Sequence, residues 1–184
     1  MIVAAGVESL CLMNDPSLSL TPEAIAAEVS TNLTAPMVLS QLLVPVFLKN
    51  KKQCSIIFIS SGFAFVPITF FPIYAPTKAG IHSFTVALRS QLADTNINVV
   101  EVFPPYVATE LDRDFKDKMV EIMGGKTHEP MGLEEFTGLV MEGLGEFTDG
   151  KVRSEVPIGG FPEILNAAWR KAFGSTLEML GVKG

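Results

Sequence analysis

Two patterns of apolar residues alternate along this chain: short runs that are apolar throughout, and longer stretches in which apolar residues recur every three or four positions. Ser55-Ile56-Ile57-Phe58-Ile59-Ser60 is of the first kind, β-branched and aromatic. It predicts a strand covered on both faces. Ile97-Asn98-Val99-Val100-Glu101-Val102-Phe103 predicts a second strand, stopped by Pro104-Pro105. Between them, residues from about Tyr74 to Ala93 predict a long helix that ends before Asp94-Thr95-Asn96. Strand, helix and strand at this spacing imply a right-handed βαβ unit in a parallel sheet.

The flanking segments extend this pattern. Ile2 to Ala5 is expected to be the end of a short strand, with no strand signal before it. Thr21-Pro22-Glu23 has the chemistry of a helix start: a hydroxyl at the cap, proline at the first helical position and an acid in the first turn. That helix should run to about Lys49, with Ile25, Val29, Leu33, Met37, Ser40, Leu43 and Phe47 along one face. Leu111 to Gly125 is charged and is expected to be mobile. Gly132 to Glu146 should be helical, and Val152 to Ile158 could form an edge strand limited by Pro157. Pro162 to Leu180 carries an amphipathic stripe of Leu165, Ala168, Trp169, Ala172 and Phe173, which suits a packing helix better than a membrane-surface one. The two long helices are apolar around much of their circumference, including Leu39, Leu43, Phe47, Phe84 and Leu88. Helices of that kind must be buried somewhere, so a homo-oligomer through them is expected.

Composition narrows the class. The 184 residues are 48% hydrophobic and 18% charged, which suits one globular domain over residues 1–184 with a substantial core. A net charge of −6 favours neither a nucleic acid nor an anionic membrane as partner. His82 and His128 are far apart in sequence, and no cysteine pair has metal-ligand spacing, so no metal is expected. Cys11 and Cys54 suit reduced thiols of a cytoplasmic protein. The apolar start lacks a basic flank and stops at Glu8, so no targeting segment is expected. The most apolar region, Phe63 to Ala75, is broken by Pro67 and Pro72 and is shorter than the ~20 residues that a bilayer requires.

Ligands of open parallel sheets bind at the carboxyl ends of the strands. Three segments should meet there: Ala5-Gly6, Ser60-Ser61-Gly62 and Pro104-Pro105. Nearby, Tyr74 and Lys78 stand at i and i+4, on one face of the predicted helix. A free tyrosine titrates near ~10. A neighbouring ammonium and the positive end of a helix would both lower that value. The pair could thus act as a general acid/base on a hydroxyl or carbonyl, although the spacing alone also fits an ordinary surface pair. Upstream, an α-helical Asn32 carbonyl would receive the N–H of residue 36, but Pro36 has none. Either that carbonyl is left for another donor such as water, or Pro36 merely kinks the helix.

Together these residues resemble the short-chain dehydrogenase/reductase family. The family's Tyr-x-x-x-Lys motif matches Tyr74 and Lys78, and its catalytic serine matches Ser61, second of a Ser-Ser pair ending a strand. Its active-site asparagine matches Asn32. Its Pro-Gly-x-Val-x-Thr segment matches Pro104-Pro105-Tyr106-Val107-Ala108-Thr109, with Pro105 in place of glycine. Ser61-Gly62-Phe63-Ala64-Phe65-Val66-Pro67 is similar to a subgroup, the DltE-like reductases. The resemblance implies a Rossmann-like, doubly wound parallel sheet of the α/β class. It also implies an NAD- or NADP-dependent oxidoreductase that interconverts a carbonyl and an alcohol on a small molecule. By resemblance, Asn32, Ser61, Tyr74 and Lys78 are catalytic, with the Asn32 carbonyl holding a water that relays protons to Lys78. Gly6, Tyr74, Lys78, Pro104, Val107 and Thr109 would contact the cofactor. Residues 1–111 would form the catalytic core, and residues 112–184 a substrate lid and carboxyl-terminal region.

One part of the family pattern is missing. No strand followed by a glycine-rich, pyrophosphate-binding turn is present. The family's Asn-Asn-Ala-Gly segment reads Val3-Ala4-Ala5-Gly6. The expected sheet is therefore amino-terminally truncated, and the residue that selects NAD or NADP would lie in the missing part. The alternative function is a non-catalytic remnant that acts as an interaction module through its long helices. His82 is expected to pack within its helix. Phe63, Phe65, Phe70 and Phe71 could shape a substrate pocket or simply fill the core.

Overall fold

The computed structural model describes residues 1–145, 147–148 and 151–183. Strands β1 (Ile2–Val3), β2 (Cys54–Ile59), β3 (Ile97–Phe103) and β6 (Glu155–Pro157) form one parallel sheet in the order β1-β2-β3-β6. The register pairs Ile57 with Val100 and Ile59 with Val102 at its centre. A second, antiparallel pair, β4 (Phe147–Thr148) with β5 (Lys151–Val152), was not foreseen. The edge strand expected from Val152 to Ile158 is divided: Val152 belongs to β5, while among the described residues β6 pairs with β3 alone and ends at Pro157, which cannot continue a ladder.

Alternation along the strands separates two cores, as a sheet with helices on both faces requires. Ile56, Phe58, Ile97 and Val99 face one way, against Ile81, Leu88 and Leu92 of α3 (Tyr74–Gln91) and its end. Leu33, Val44 and Phe47 pack onto the same layer. Ile57, Ile59, Val100, Val102 and Val156 face the other way, against Phe136, Val140 and Leu144 of α5 (Leu133–Gly145). Ile56, Phe58, Val100 and Val102 are essentially sealed from solvent, and each such side chain contributes about 1.5–3 kcal/mol by burial. Phe84 and Leu88, expected on a self-association face, belong to the first core instead.

The first long helix runs as α1 (Pro22–Val29), a π-turned segment (Ser30–Thr34) and α2 (Ala35–Leu48). Thr21 caps it by accepting the Ala24 N–H at 3.2 Å. In the π segment the Ala35 N–H reaches back to the Ser30 carbonyl. Pro36 follows at once and offers the Asn32 carbonyl no N–H. This 27-residue helix is long and apolar enough to cross a membrane by length and composition. It nevertheless carries Glu28, Asn32 and Ser40 on a face buried in the protein. The exposed side shows Val38, Leu39, Leu42, Val46 and Leu48.

The stretch expected to be mobile contains α4 (Lys116–Ile122), a short helix with no buried residue. Helix α6 (Gly160–Met179) begins just after β6. It is tied to that strand through Glu155, which accepts from Asn166 Nδ2 at 2.8 Å, from Arg170 Nε at 2.8 Å and from Arg89 Nη1 at 3.4 Å. Burial alone would push the Glu155 carboxyl up, but these hydrogen bonds and charges hold it below the usual carboxylate value. Glu146, at the end of the helix expected from Gly132, lies outside the described residues.

Candidate active site

The carboxyl ends of β1, β2 and β3 bring the expected segments together. Ser60 donates its N–H to the Val102 carbonyl at 2.8 Å, and Gly62 donates to Pro104 at 3.1 Å. The loop after β2 turns through a 3₁₀ segment, Gly62–Ala64, in which the Ser61 hydroxyl accepts the Phe63 N–H at 3.1 Å. That bond orients a largely buried serine at the strand end.

Asn32 fixes the loop after β1. Its Oδ1 accepts the Val7 N–H at 2.9 Å, and its Nδ2 donates to the Val7 carbonyl at 2.7 Å. The same amide lies 3.2 Å from Thr77 Oγ1, which donates to the Tyr74 carbonyl at 2.7 Å. One buried side chain thus joins the first loop, the π segment and the start of α3. A side chain at Gly6 would stand 3.6 Å from Lys78 Nζ and 3.7 Å from Asn32 Oδ1, which places Gly6 directly beside the pair.

Tyr74 and Lys78 are both buried, and the Lys78 ammonium stands 5.4 Å from the Tyr74 ring centre. Lys78 donates one hydrogen bond, to the Ile59 carbonyl at 3.0 Å. Burial pushes Lys78 down to about 8, against the opposing charges of Glu8 and Glu101. The phenol departs from the sequence-based expectation. Burial first, then the charges of Glu8 and Glu28, push Tyr74 well above its ordinary value, while the Ser61 hydroxyl pulls it back. Desolvation of the phenolate therefore outweighs the nearby ammonium and the helix end.

Val107 and Thr109 lie outside this cluster. Val107 bridges to Met131, and Thr109 is exposed, its hydroxyl accepting the Leu111 N–H at 3.3 Å. Tyr106 hydrogen-bonds the Asp112 carboxylate at 2.5 Å; burial and that bond push the phenol up to about 12.

Three acids were not identified in advance. Glu101 is wholly buried in β3, where His82 Nδ1 lies 2.9 Å from its Oε2 and the Thr85 hydroxyl donates to the same oxygen. A glutamate inside an otherwise apolar strand is itself a signal that a partner must exist. Glu8 follows Gly6 by two residues, and burial, with Glu28 and Asp112, pushes its carboxyl up to about 7. Glu28 sits one helical turn before Asn32 and therefore on the same inward face.

A nicotinamide cofactor fits the residues at one of its ends only. Among the described residues Lys78 directs a single hydrogen bond to protein, which leaves ammonium donors for ribose hydroxyls. No glycine-rich turn opens a helix beside Gly6, and the positive-φ glycines among the described residues lie at 124, 125, 159 and 181. A pyrophosphate therefore has no comparable seat among the described residues. No group of three or more His, Cys, Asp or Glu among the described residues could hold a metal ion.

The chain is 38% identical over 119 residues to an uncharacterized oxidoreductase, DltE, of Bacillus subtilis (strain 168), covering 65% of this chain and 45% of that protein. It is 27% identical over 137 residues to an NADP-dependent 3-hydroxy acid dehydrogenase of Schizosaccharomyces pombe, covering 73% and 52%. The chain thus spans about half the length of these curated relatives. Among solved structures, a short-chain dehydrogenase of Burkholderia cenocepacia in complex with NADP superposes with a TM-score of 0.71 at 22% identity, over 96% of this chain and 69% of that one. Residues 1–120 match the short chain dehydrogenase family, and the chain belongs to it.

Proposed function

We propose that this chain carries the catalytic half of an NAD(P)-dependent oxidoreductase that interconverts a carbonyl and an alcohol on a small molecule. The observation that carries this reading is the meeting of Tyr74, Lys78, Ser61, Asn32 and Gly6 at one end of the parallel sheet. The bound nicotinamide would supply or accept the hydride. Tyr74 gives its phenolic proton to the carbonyl oxygen in reduction and takes the hydroxyl proton in oxidation. Ser61 donates to the same oxygen and stabilises the charge that develops there. Lys78, held by the Ile59 carbonyl, keeps donors for the nicotinamide ribose and faces the Tyr74 ring. Asn32 positions the loop bearing Gly6, while its own carbonyl, to which Pro36 offers no N–H, would hold a water that passes protons to Lys78. By the family resemblance, Pro104, Val107 and Thr109 would reach the nicotinamide side of the site, although Val107 and Thr109 lie outside the Tyr74–Lys78 cluster.

The DltE-like and 3-hydroxy acid dehydrogenase relatives support an oxidoreductase, and the NADP of the Burkholderia structure supports this cofactor class. The test is Tyr74→Phe in this chain joined to a glycine-rich amino-terminal half. Turnover should fall by at least about a hundredfold, as loss of a general acid/base does. Turnover close to the parent's would remove Tyr74 from the role.

A further inference from the structure

Glu8, whose charge acts on both Tyr74 and Lys78, also lines a cleft of about 400 Å³. Leu10, Leu18, Leu20 and Phe115 give the cleft apolar walls, and Asp114 and Lys118 stand on its lining. Lys118 is already engaged, its Nζ lying 3.0 Å from Glu121 Oε2. Behind this wall Glu28 is 1% exposed, and neither carboxyl oxygen has a hydrogen-bond partner. Ser9, which lines the cleft, is close enough to favour the ionised form of Glu28 but stands outside hydrogen-bond geometry. Glu8 thus feels the charges of the Glu28 and Asp112 carboxyls, with Lys78 as the opposing cation.

A buried carboxyl without a donor is costly, and two together are costlier. Such an arrangement persists where a ligand supplies the missing charge. A hard divalent ion wants six or more oxygens in a shell, and the described residues offer no suitable cluster. An organic ammonium needs fewer acceptors. It would also bring carbon to the leucine walls and a positive charge near the Phe115 ring.

We propose that the cleft is an ammonium subsite: Glu8, backed by Glu28, holds the amine of a substrate whose carbonyl or hydroxyl group reaches Tyr74. This rests on the carbonyl/alcohol reading for its role but not for its binding chemistry. The substrate class is accordingly an amino ketone or amino alcohol, with carbon packed along Leu10, Leu18 and Phe115.

The test titrates this chain by calorimetry with benzylammonium and with benzyl alcohol, its neutral counterpart. The ammonium should bind about tenfold more tightly, the scale of one charge-assisted hydrogen bond. Glu8→Gln should remove that preference and leave the alcohol's affinity unchanged. Tyr74→Phe should change neither, so the subsite and the acid/base assignment can fail separately. A second measurement needs no variant: the ammonium's affinity should rise between about pH 5.5 and about pH 8 as Glu8 ionises. Equal affinity for the two probes, a preference that survives in Glu8→Gln, or an affinity flat across that range would each overturn the proposal.

Discussion

Replacing His82 by alanine should destabilise the fold by about 3–5 kcal/mol, the cost of removing one partner from a buried pair. His82 Nδ1 lies 2.9 Å from Glu101 Oε2, and Glu101 is 0% exposed. Without the ring, the Glu101 carboxyl keeps only the Thr85 hydroxyl. Its second oxygen already has no partner. The ring is also packed against Phe65, Phe103 and Trp169, with centroids 4.8, 5.5 and 4.4 Å away. Its removal opens a void among three aromatic side chains, which adds to the loss. A domain has about 5–15 kcal/mol of stability in all, so the variant should sit close to unfolding. Urea denaturation followed by fluorescence reads this directly, because Trp169 is the chain's single tryptophan and touches the substituted site. His82→Gln returns a donor to Glu101 and should recover part of the loss. A loss in His82→Ala below about 1 kcal/mol, the scale of a surface substitution, would refute the reasoning. So would strict additivity with Glu101→Ala, since residues in contact should couple.

Three further outcomes are expected. NADH and NADPH should give no calorimetric heat with this chain at micromolar concentration, because no described glycine-rich turn seats a pyrophosphate; micromolar binding of either would show that another route holds the nucleotide. In sedimentation the chain should self-associate through the exposed face of Val38, Leu39, Leu42 and Val46, and Leu42→Lys should return it to monomer; a parent that is monomeric at every concentration refutes this. Folding raises the Glu8 pKa from 4.5 to about 7, so the folded state binds the proton more tightly and its contribution to stability is lost as pH climbs through that window. The Tm of Glu8→Gln minus that of the parent should therefore increase from about pH 4.5 to about pH 7 and then level off; a constant difference sinks the linkage.

The parts of this fold that were legible in sequence are those whose signal is local. β3 lies at Ile97–Phe103 as expected, because a β-branched run buried on both faces has few other solutions. α3 begins at Tyr74 and carries Lys78 on the same face. Pro36 announced the disturbance that the structure resolves as a π segment beginning at Ser30. The elements that were missed depend on contacts between distant residues or on weak burial. α4 buries nothing, so its charged sequence gave no helical stripe to recognise. Phe84 looked like surplus apolar surface until its ring met Phe58 edge-on, with centroids 5.9 Å apart. Within the candidate site, spacing alone pointed to the Tyr74 and Lys78 pair, while Asn32 and Ser61 were assigned through the family resemblance. Glu8, Glu28 and Glu101 were not visible, because their importance comes from burial and from neighbours 16 or more residues away. The direction of the Tyr74 shift was missed for the same reason: spacing revealed the ammonium but neither the depth of burial nor the two acids.

Those two acids set the electrostatic problem that the site has to solve. Tyr74 is held protonated by burial and by the negative charges of Glu8 and Glu28, while Lys78 is pushed toward neutrality, with Glu8 helping to keep it charged. In reduction, a phenol with a raised pKa keeps its proton until the carbonyl oxygen gains charge, which is compatible with a general acid. In oxidation the same phenol is a poorly populated base. A cation beside Glu8 changes this balance without touching Tyr74, because it cancels a negative charge that opposes the phenolate. It also weakens the support that Glu8 gives to the Lys78 ammonium, so the two partners move down together. An amine-bearing substrate would therefore ease ionisation of the phenol on binding, and a neutral one of the same shape would not. On the proposed reading, the two acids would then link recognition to proton transfer: the charge that selects the substrate would also bring the Tyr74 phenol closer to a working range.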